Sequence, residues 1–298
     1  MQTGNSRRGF LKIAAAGMTG AAFAPARAFS AARRGNPIGA RAADTPIRLG
    51  VASYSFRKFS LPEAIAMTKE LRAPWINIKS FHIPYDSTPE EIAAARKLIT
   101  DAGLQIVGGG TITFEEDTDE EVRKYFEYAK NAGMPLIVMT AAPEILPRIE
   151  KFVKMYDIKA AIHNHGPEDH HYHAPADALK YIKDMDPRMG LCVDVGHTAR
   201  TGTDPVQAIA DAGSRVLDMH MKDLADMMVK ESQVAVGEGK MPIPDIFREL
   251  IKLNYPGYVN LEYEIHADDP LPGMQQSFSY MRGVLAGMGV PGATASID

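Results

Sequence analysis

Four short runs gather the side chains able to do acid, base or metal chemistry. They read Ile162-His163-Asn164-His165-Gly166-Pro167-Glu168, Asp194-Val195-Gly196-His197, Met219-His220-Met221-Lys222-Asp223 and Asn260-Leu261-Glu262-Tyr263-Glu264. Each leaves an apolar, strand-like stretch and ends in carboxylate or imidazole, where period-two alternation can aim the polar groups inward. Two carboxylates and one or two imidazoles in a small volume call for a cation, because like charges are not buried together unpaired. Mixed nitrogen and oxygen ligands suit Mn²⁺ or Zn²⁺ first, with Co²⁺, Fe²⁺ or Mg²⁺ also compatible, and the absence of thiolate argues against a structural zinc site. No pair has the His-x-x-x-His spacing of a helical site, so a fold must bring separate strands together. A lone Asp or His at a strand end is as often a hydrogen-bonding residue; four such ends in succession weaken that alternative.

The elements that would position them alternate along the chain. Eight strand-like runs stand at Ile47 to Ser53, Trp75 to Lys79, Leu104 to Val107, Pro135 to Thr140, Lys159 to Asn164, Gly190 to Asp194, Val216 to Lys222 and Tyr258 to Glu262. Between them lie helix signals: Ser60-Leu61-Pro62-Glu63, Ser87-Thr88-Pro89-Glu90-Glu91, Thr118-Asp119-Glu120-Glu121 and Asp204-Pro205 as starts, Gly103, Gly133 and Gly213 as stops. Alternating strands and helices predict a parallel α/β fold, and eight units close a (β/α)₈ barrel. A doubly wound open sheet is the competitor. It should carry a glycine-rich phosphate loop after its first strand, and Val51 to Arg57 has no glycine. Gly108-Gly109-Gly110, after the third run, reads as a tight turn or a close backbone approach.

The chain has 298 residues, 45% hydrophobic and 23% charged. Its first 28 residues read as export machinery: Ser6-Arg7-Arg8-Gly9-Phe10-Leu11-Lys12, an Ala/Gly-rich apolar run from Ile13 to Ala24, and a cleavage-like Ala26-Arg27-Ala28. This is a twin-arginine signal, and it predicts a periplasmic or secreted protein. A basic linker over residues 29–44 and a catalytic domain over residues 45–298 follow. No later stretch approaches the ~20 apolar residues of a stable membrane span. Beyond residue 44 the chain holds 26 basic and 36 acidic residues, a balance that opposes nucleic-acid binding. Cys192 lies in an apolar run and, being single, reads as core packing.

In these strand-end motifs the chain resembles the xylose isomerase-like TIM-barrel superfamily of sugar isomerases, epimerases and dehydratases, over residues 45 to 290. The resemblance implies that Asp194, His220 and Glu262 are metal ligands, with His197 and Lys222 contacting substrate. Tyr255-Pro256-Gly257-Tyr258 resembles the family's approach to its eighth strand, and Gly237-Glu238-Gly239 its loop before the last helix. Many members carry Glu-x-His on the fifth strand, where this chain has His163-Asn164-His165. The fourth ligand is then His163, by register, or Glu168, which otherwise contacts substrate. His165 falls where related dehydratases keep an acid/base histidine.

Lys79 and His82, near the second strand, are candidates for binding substrate hydroxyls, whereas Arg57 reads as a surface arginine. His170, His171 and His173 form a histidine-rich loop, either an active-site flap or a plain exposed loop. Trp75 and the methionines at 219, 221, 227 and 228 read as packing. The resemblance implies a divalent-metal sugar isomerase or epimerase working through an enediolate, with Glu262 or His165 moving the proton. The fifth-strand His-x-His, with export, keeps a keto-sugar lyase, dehydratase or hydratase of 3-keto-glycoside or keto-cyclitol type as the alternative. Abasic-site DNA hydrolysis on the same fold is opposed by the acidic balance, and a non-catalytic sugar-binding module by the intact Asp194, His220 and Glu262. The partner is a small carbohydrate; a homo-oligomer stays open.

Overall fold

The structure, a computed structural model, describes residues 47–290; the twin-arginine segment and the linker fall outside them. Eight parallel strands form a closed barrel: β1 (Arg48–Ala52), β2 (Trp75–Ile78), β3 (Gln105–Phe114), β4 (Leu136–Ala141), β5 (Lys159–His163), β6 (Met189–Asp194), β7 (Val216–Met221) and β10 (Tyr258–Leu261). A small antiparallel pair, β8 (Asp223–Leu224) and β9 (Gln233–Val234), is inserted between the seventh and eighth barrel strands. The ring closes where β1 meets β10, Arg48 opposite Tyr258 through Val51 opposite Leu261. Each of the eight expected runs falls on one of these strands.

The helices are α1 (Leu61–Glu70), α2 (Pro89–Asp101), α3 (Asp119–Ala132), α4 (Leu146–Tyr156), α5 (Pro175–Ile182), α6 (Val195–Arg200), α7 (Pro205–Ala212), α8 (Ile243–Lys252) and α9 (Leu271–Gly287). Their starts follow the sequence signals. The Glu63 carboxylate accepts from Ser60 N at 2.8 Å, Thr88 and Thr118 hydroxyls accept from Glu91 N and Glu121 N, and Asp204 accepts from Val206 N. Gly103, Gly133 and Gly213 all take positive φ after their helices, where a side chain would be strained. On α8, Ile243, Ile246, Phe247 and Leu250 are buried, the i, i+3, i+4, i+7 stripe that fixes a helix onto a barrel. Each such side chain stabilises the fold by roughly 1.5–3 kcal/mol.

Two expectations are corrected. The third strand does not stop at Val107 but runs on through Gly108-Gly109-Gly110 to Phe114, so these glycines are not a turn. They permit a close approach: a Cβ on Gly110, at φ +121°, would stand 2.0 Å from Val138 O, and one on Gly109 3.0 Å from Ile78 O. Met219 and Met221 are buried as expected, but Met227 and Met228 are exposed, Met228 by 62%. They lie on the loop between β8 and β9, off the barrel strand whose alternation buries the first two.

Candidate active site

Four neighbouring strands, β5, β6, β7 and β10, deliver His163, Asp194, His220 and Glu262 to the carboxyl end of the barrel. One ligand atom from each lies within 4.8 Å of the others. His163 Nε2 is 2.9 Å from His220 Nδ1 and 3.6 Å from Asp194 Oδ2, and His220 Nδ1 is 3.0 Å from Glu262 Oε2. Atoms bonded to one ion at about 2.1 Å stand about 3.0 Å apart at right angles and about 3.4 Å apart at the tetrahedral angle. The observed spacings fall around those values. Of the four clustered atoms, Asp194 Oδ2 is buried with no well-aligned hydrogen-bond partner, an arrangement that a core does not tolerate without compensation. The donor set and the orphaned carboxylate oxygen fit a divalent cation.

The backbone around Asp194 is fixed from both sides. Asp194 Oδ1 accepts from His197 N at 2.8 Å and so caps α6, which turns Oδ2 toward the cluster. Asn164 Oδ1 accepts from Asp194 N at 3.1 Å, while its Nδ2 donates to Asp194 O and to Thr198 Oγ1. Gly196 lets this turn sit against Lys222, whose Cβ and Cδ would be 3.3 Å from any added Cβ.

Two ammonium groups balance the carboxylates. Lys222 Nζ lies 3.0 Å from Asp194 Oδ2 and 3.1 Å from Glu262 Oε2 and also pairs with Glu264; Lys79 Nζ lies 3.2 Å from Glu262 Oε1. Burial works to raise Asp194 and Glu262, but His197, Lys222 and His163 around the first, and His220, Lys79 and Lys222 around the second, hold both well below the usual carboxylate range. Burial works to lower Lys222, and its three carboxylates outweigh it. Burial, then the neighbouring His165, pushes His163 well below the ordinary imidazole range, which keeps it neutral and able to ligate.

Two further histidines face the cleft with defined protons. Arg200 Nη1 donates to His197 Nδ1 at 3.0 Å. A guanidinium cannot accept, so the His197 proton sits on Nε2, 4.0 Å from Asp194 Oδ2. Burial lowers His197 as well, leaving a neutral donor. Arg200 also pairs with Glu168. His165 Nδ1 lies 3.2 Å from Asp169 Oδ2; the aspartate accepts, and Nε2 is left for a substrate. Burial of Asp169 is outweighed by hydrogen bonds from His165, Tyr172 N and His171 N, which hold it low and charged.

The structure therefore brings His163, Asp194, His220 and Glu262 together, with Lys79, His165 and His197 on the cleft wall. Lys222 lies beneath, tied to carboxylates. Glu168, its side chain 49% exposed, is held by Arg200 away from the cluster. His82 is buried with both ring nitrogens engaged, Nδ1 with Ser53 Oγ at 3.0 Å and Nε2 with Phe56 O at 3.2 Å, and burial lowers it. Arg57 is not a free surface group: its Nη2 donates to Glu264 O at 2.7 Å and its guanidinium covers Tyr54. The histidine-rich loop is folded back by Asp169 Oδ1, which accepts from His171 N and Tyr172 N.

Several residues have roles that the sequence reading did not give them. Asp223, beside Lys222, accepts from Gly237 N, Gly239 N and Met241 N at 2.8–3.1 Å and so holds the Gly237-Glu238-Gly239 loop. Asp218 lies inside the barrel, taking Asn77 Nδ2 at 2.9 Å and Asn260 Nδ2 at 2.8 Å. Period-two alternation back from His220 and Glu262 marks Asp218 and Asn260. Lys230, on the β8–β9 loop, reaches the cleft with Tyr54 and Phe81, and no sequence signal marked it.

A closed eightfold barrel with alternating helices and a two-histidine, two-carboxylate cluster at its strand ends defines a (β/α)₈ barrel with a candidate metal site where such barrels carry their active sites. Within that class, a xylose isomerase-like TIM barrel family model matches residues 63–284, and the chain belongs to that family. It is 23% identical over 214 residues, 65% of this chain and 69% of the relative, to a protein named inosose dehydratase from Clostridium beijerinckii. Among solved structures it is similar to an uncharacterised protein from Parabacteroides distasonis, at 25% identity over 80% of this chain and 99% of that one, TM-score 0.63. It also shares its fold with a 3-keto-D-glucoside 4-epimerase from E. coli, at 18% identity over 80% and 99%, TM-score 0.64. No helix among the described residues is long and apolar enough to cross a membrane.

Proposed function

We propose that the protein is a divalent-metal-dependent enzyme that removes the proton beside a sugar carbonyl and returns it elsewhere, as a sugar epimerase or isomerase does. The observation that carries this reading is the ring of His163 Nε2, Asp194 Oδ2, His220 Nδ1 and Glu262 Oε2, spaced for one ion, with His165 and His197 beside it on the cleft wall. When bound, the cation supplies Lewis-acid polarisation of a carbonyl and its neighbouring hydroxyl. The chain supplies the rest. Lys79 holds Glu262 by its Oε1, His197 Nε2–H donates to a substrate oxygen, and His165 Nε2 or Glu262 takes the carbon-bound proton and gives it back. Tyr54 and Phe81, edge to face at 5.7 Å, offer apolar ring surface to the C–H face of a sugar.

Elimination is the second reading, favoured by the His165–Asp169 pair and by the relative named a dehydratase. There His165 Nε2 takes the carbon-bound proton, the neighbouring C–C bond becomes double, a C–O bond breaks, and the departing oxygen takes that proton back from His165. Export through a twin-arginine signal ending at Ala28, which we propose for residues 1–28, would place the enzyme in the periplasm among unphosphorylated sugars. The test is Mn²⁺-loaded protein with ketoses and keto-glycosides in D₂O, followed by NMR. The epimerase or isomerase reading expects deuterium at a ring or chain carbon, and the elimination reading expects loss of the carbon-bound proton with release of water or alcohol and an unsaturated product; finding neither deuterium exchange nor elimination product sinks both.

A further inference from the structure

The cleft over the cluster does not end there. A first lobe of about 450 Å³ lies over His163 and Glu262, and a second of about 600 Å³ lies toward β4 and the histidine-rich loop. His165, His197 and Lys230 line both, so the two lobes adjoin at these three side chains. Each lobe falls within the roughly 300–1,000 Å³ that encloses a drug-sized ligand, and one six-carbon sugar does not fill both. The second lobe is built for a neutral group. Its wall includes Phe114, Ala141 and Ala142 and its rim Thr113 and Thr140; Glu168 is matched by Arg200 and Asp169 by His165, and Glu115 and Lys230 add one charge of each sign, so the lining is balanced. No arginine lines either lobe, so neither offers the fork that recognises a phosphate.

We infer that the second lobe is an aglycone subsite and that the substrate is a neutral glycoside, its sugar ring over the metal cluster and its aglycone beyond His165. This rests on the carbonyl-sugar reading above. The anomeric carbon of a glycoside is an acetal, so the carbonyl that the cluster engages is a ketone on the ring, and the glycosidic oxygen lies at the junction, beside His165. The unlinked sugar leaves the second lobe empty, and the aglycone adds contacts without touching the cluster.

Three probes test this on the Mn²⁺-loaded protein: 4-nitrophenyl 3-keto-β-D-glucoside, methyl 3-keto-β-D-glucoside and free 3-keto-D-glucose. Titration calorimetry should give at least about tenfold tighter binding for the aryl glycoside, worth about 1.4 kcal/mol, and saturation transfer should reach its aromatic protons. Ala142→Trp, which fills the second lobe, should bring the aryl and methyl glycosides within about twofold of each other. Equal affinity for the three probes in the unaltered protein overturns the subsite, as does an aryl preference undiminished in a folded Ala142→Trp protein. Transfer to the aromatic protons, measured on the unaltered chain, stands if the variant misfolds. Aryl preference without deuterium exchange supports the subsite while removing the proposed reaction, so the two fail separately.

Discussion

His163 and Glu168 differ in what holds them. His163 is buried among three other candidate ligands, and Glu168 is an exposed carboxylate spent on Arg200. A ligand removed from a buried ring leaves its partners uncompensated, whereas neutralising Glu168 only frees a guanidinium. His163→Ala should therefore weaken Mn²⁺ binding about 100-fold, on the scale of lost coordination, while Glu168→Gln should change it less than about threefold. Isothermal titration with Mn²⁺ separates them, and the reverse ordering would show that Glu168 is the fourth ligand. Register with the fifth-strand Glu-x-His of the family it resembles pointed to His163. It could not show Arg200, which comes from the next unit of the barrel and commits Glu168 elsewhere. The same gap hid His82, whose partners Ser53 and Phe56 lie on the first loop.

On β7 and just past its end the inward positions are Asp218, His220 and Lys222, two residues apart, and each meets partners from other strands. Asn77 comes from β2 and is separated from β7 by two intervening strands, so its bond to Asp218 crosses the barrel interior. Burial pushes the Asp218 carboxyl up to about 6, outweighing His220, the Met219 amide, Lys79 and Asn77. A folded chain that keeps this proton after the unfolded chain has released it loses stability as pH rises from about 4 to about 6, and the loss is constant above. The size is on the order of 3 kcal/mol. Asp218→Asn removes that component, so the stability of the variant relative to the parent should climb across pH 4 to 6 and level off. Denaturant unfolding at pH 4, 5, 6 and 7.5 measures it; a difference flat in pH contradicts the assignment. The elements themselves were legible because caps, prolines and glycines act within four residues. The extension of β3 was not, since Gly108-Gly109-Gly110 serves turns and close packing equally well and only Val138 and Ile78, from neighbouring strands, decide. Met227 and Met228 were misread for a related reason: a methionine carries no mark of the loop it sits on.

Across the whole barrel, the four candidate ligands span residues 163 to 262 and meet only when β5, β6, β7 and β10 stand side by side. An unfolded chain does not hold them within one coordination sphere, so metal binding and folding are linked. The two lysines temper this, because Lys222 at 3.0 and 3.1 Å from Asp194 and Glu262 already supplies positive charge, and the metal-free barrel should stay folded rather than collapse. Adding Mn²⁺ at about 1,000 times its Kd contributes about 4 kcal/mol, and a domain of this size gains roughly 2–4 °C in Tm per kcal/mol. Calorimetric scans should therefore show a single cooperative transition in chelator that rises by roughly 8–16 °C with Mn²⁺. In His163→Ala the rise should shrink by several degrees, because weaker binding lowers the linked stabilisation at the same metal concentration. A Tm unmoved by metal in the unaltered protein would mean that the ring of ligands is closed by Lys222 alone, and that the cleft binds its sugar without a cation.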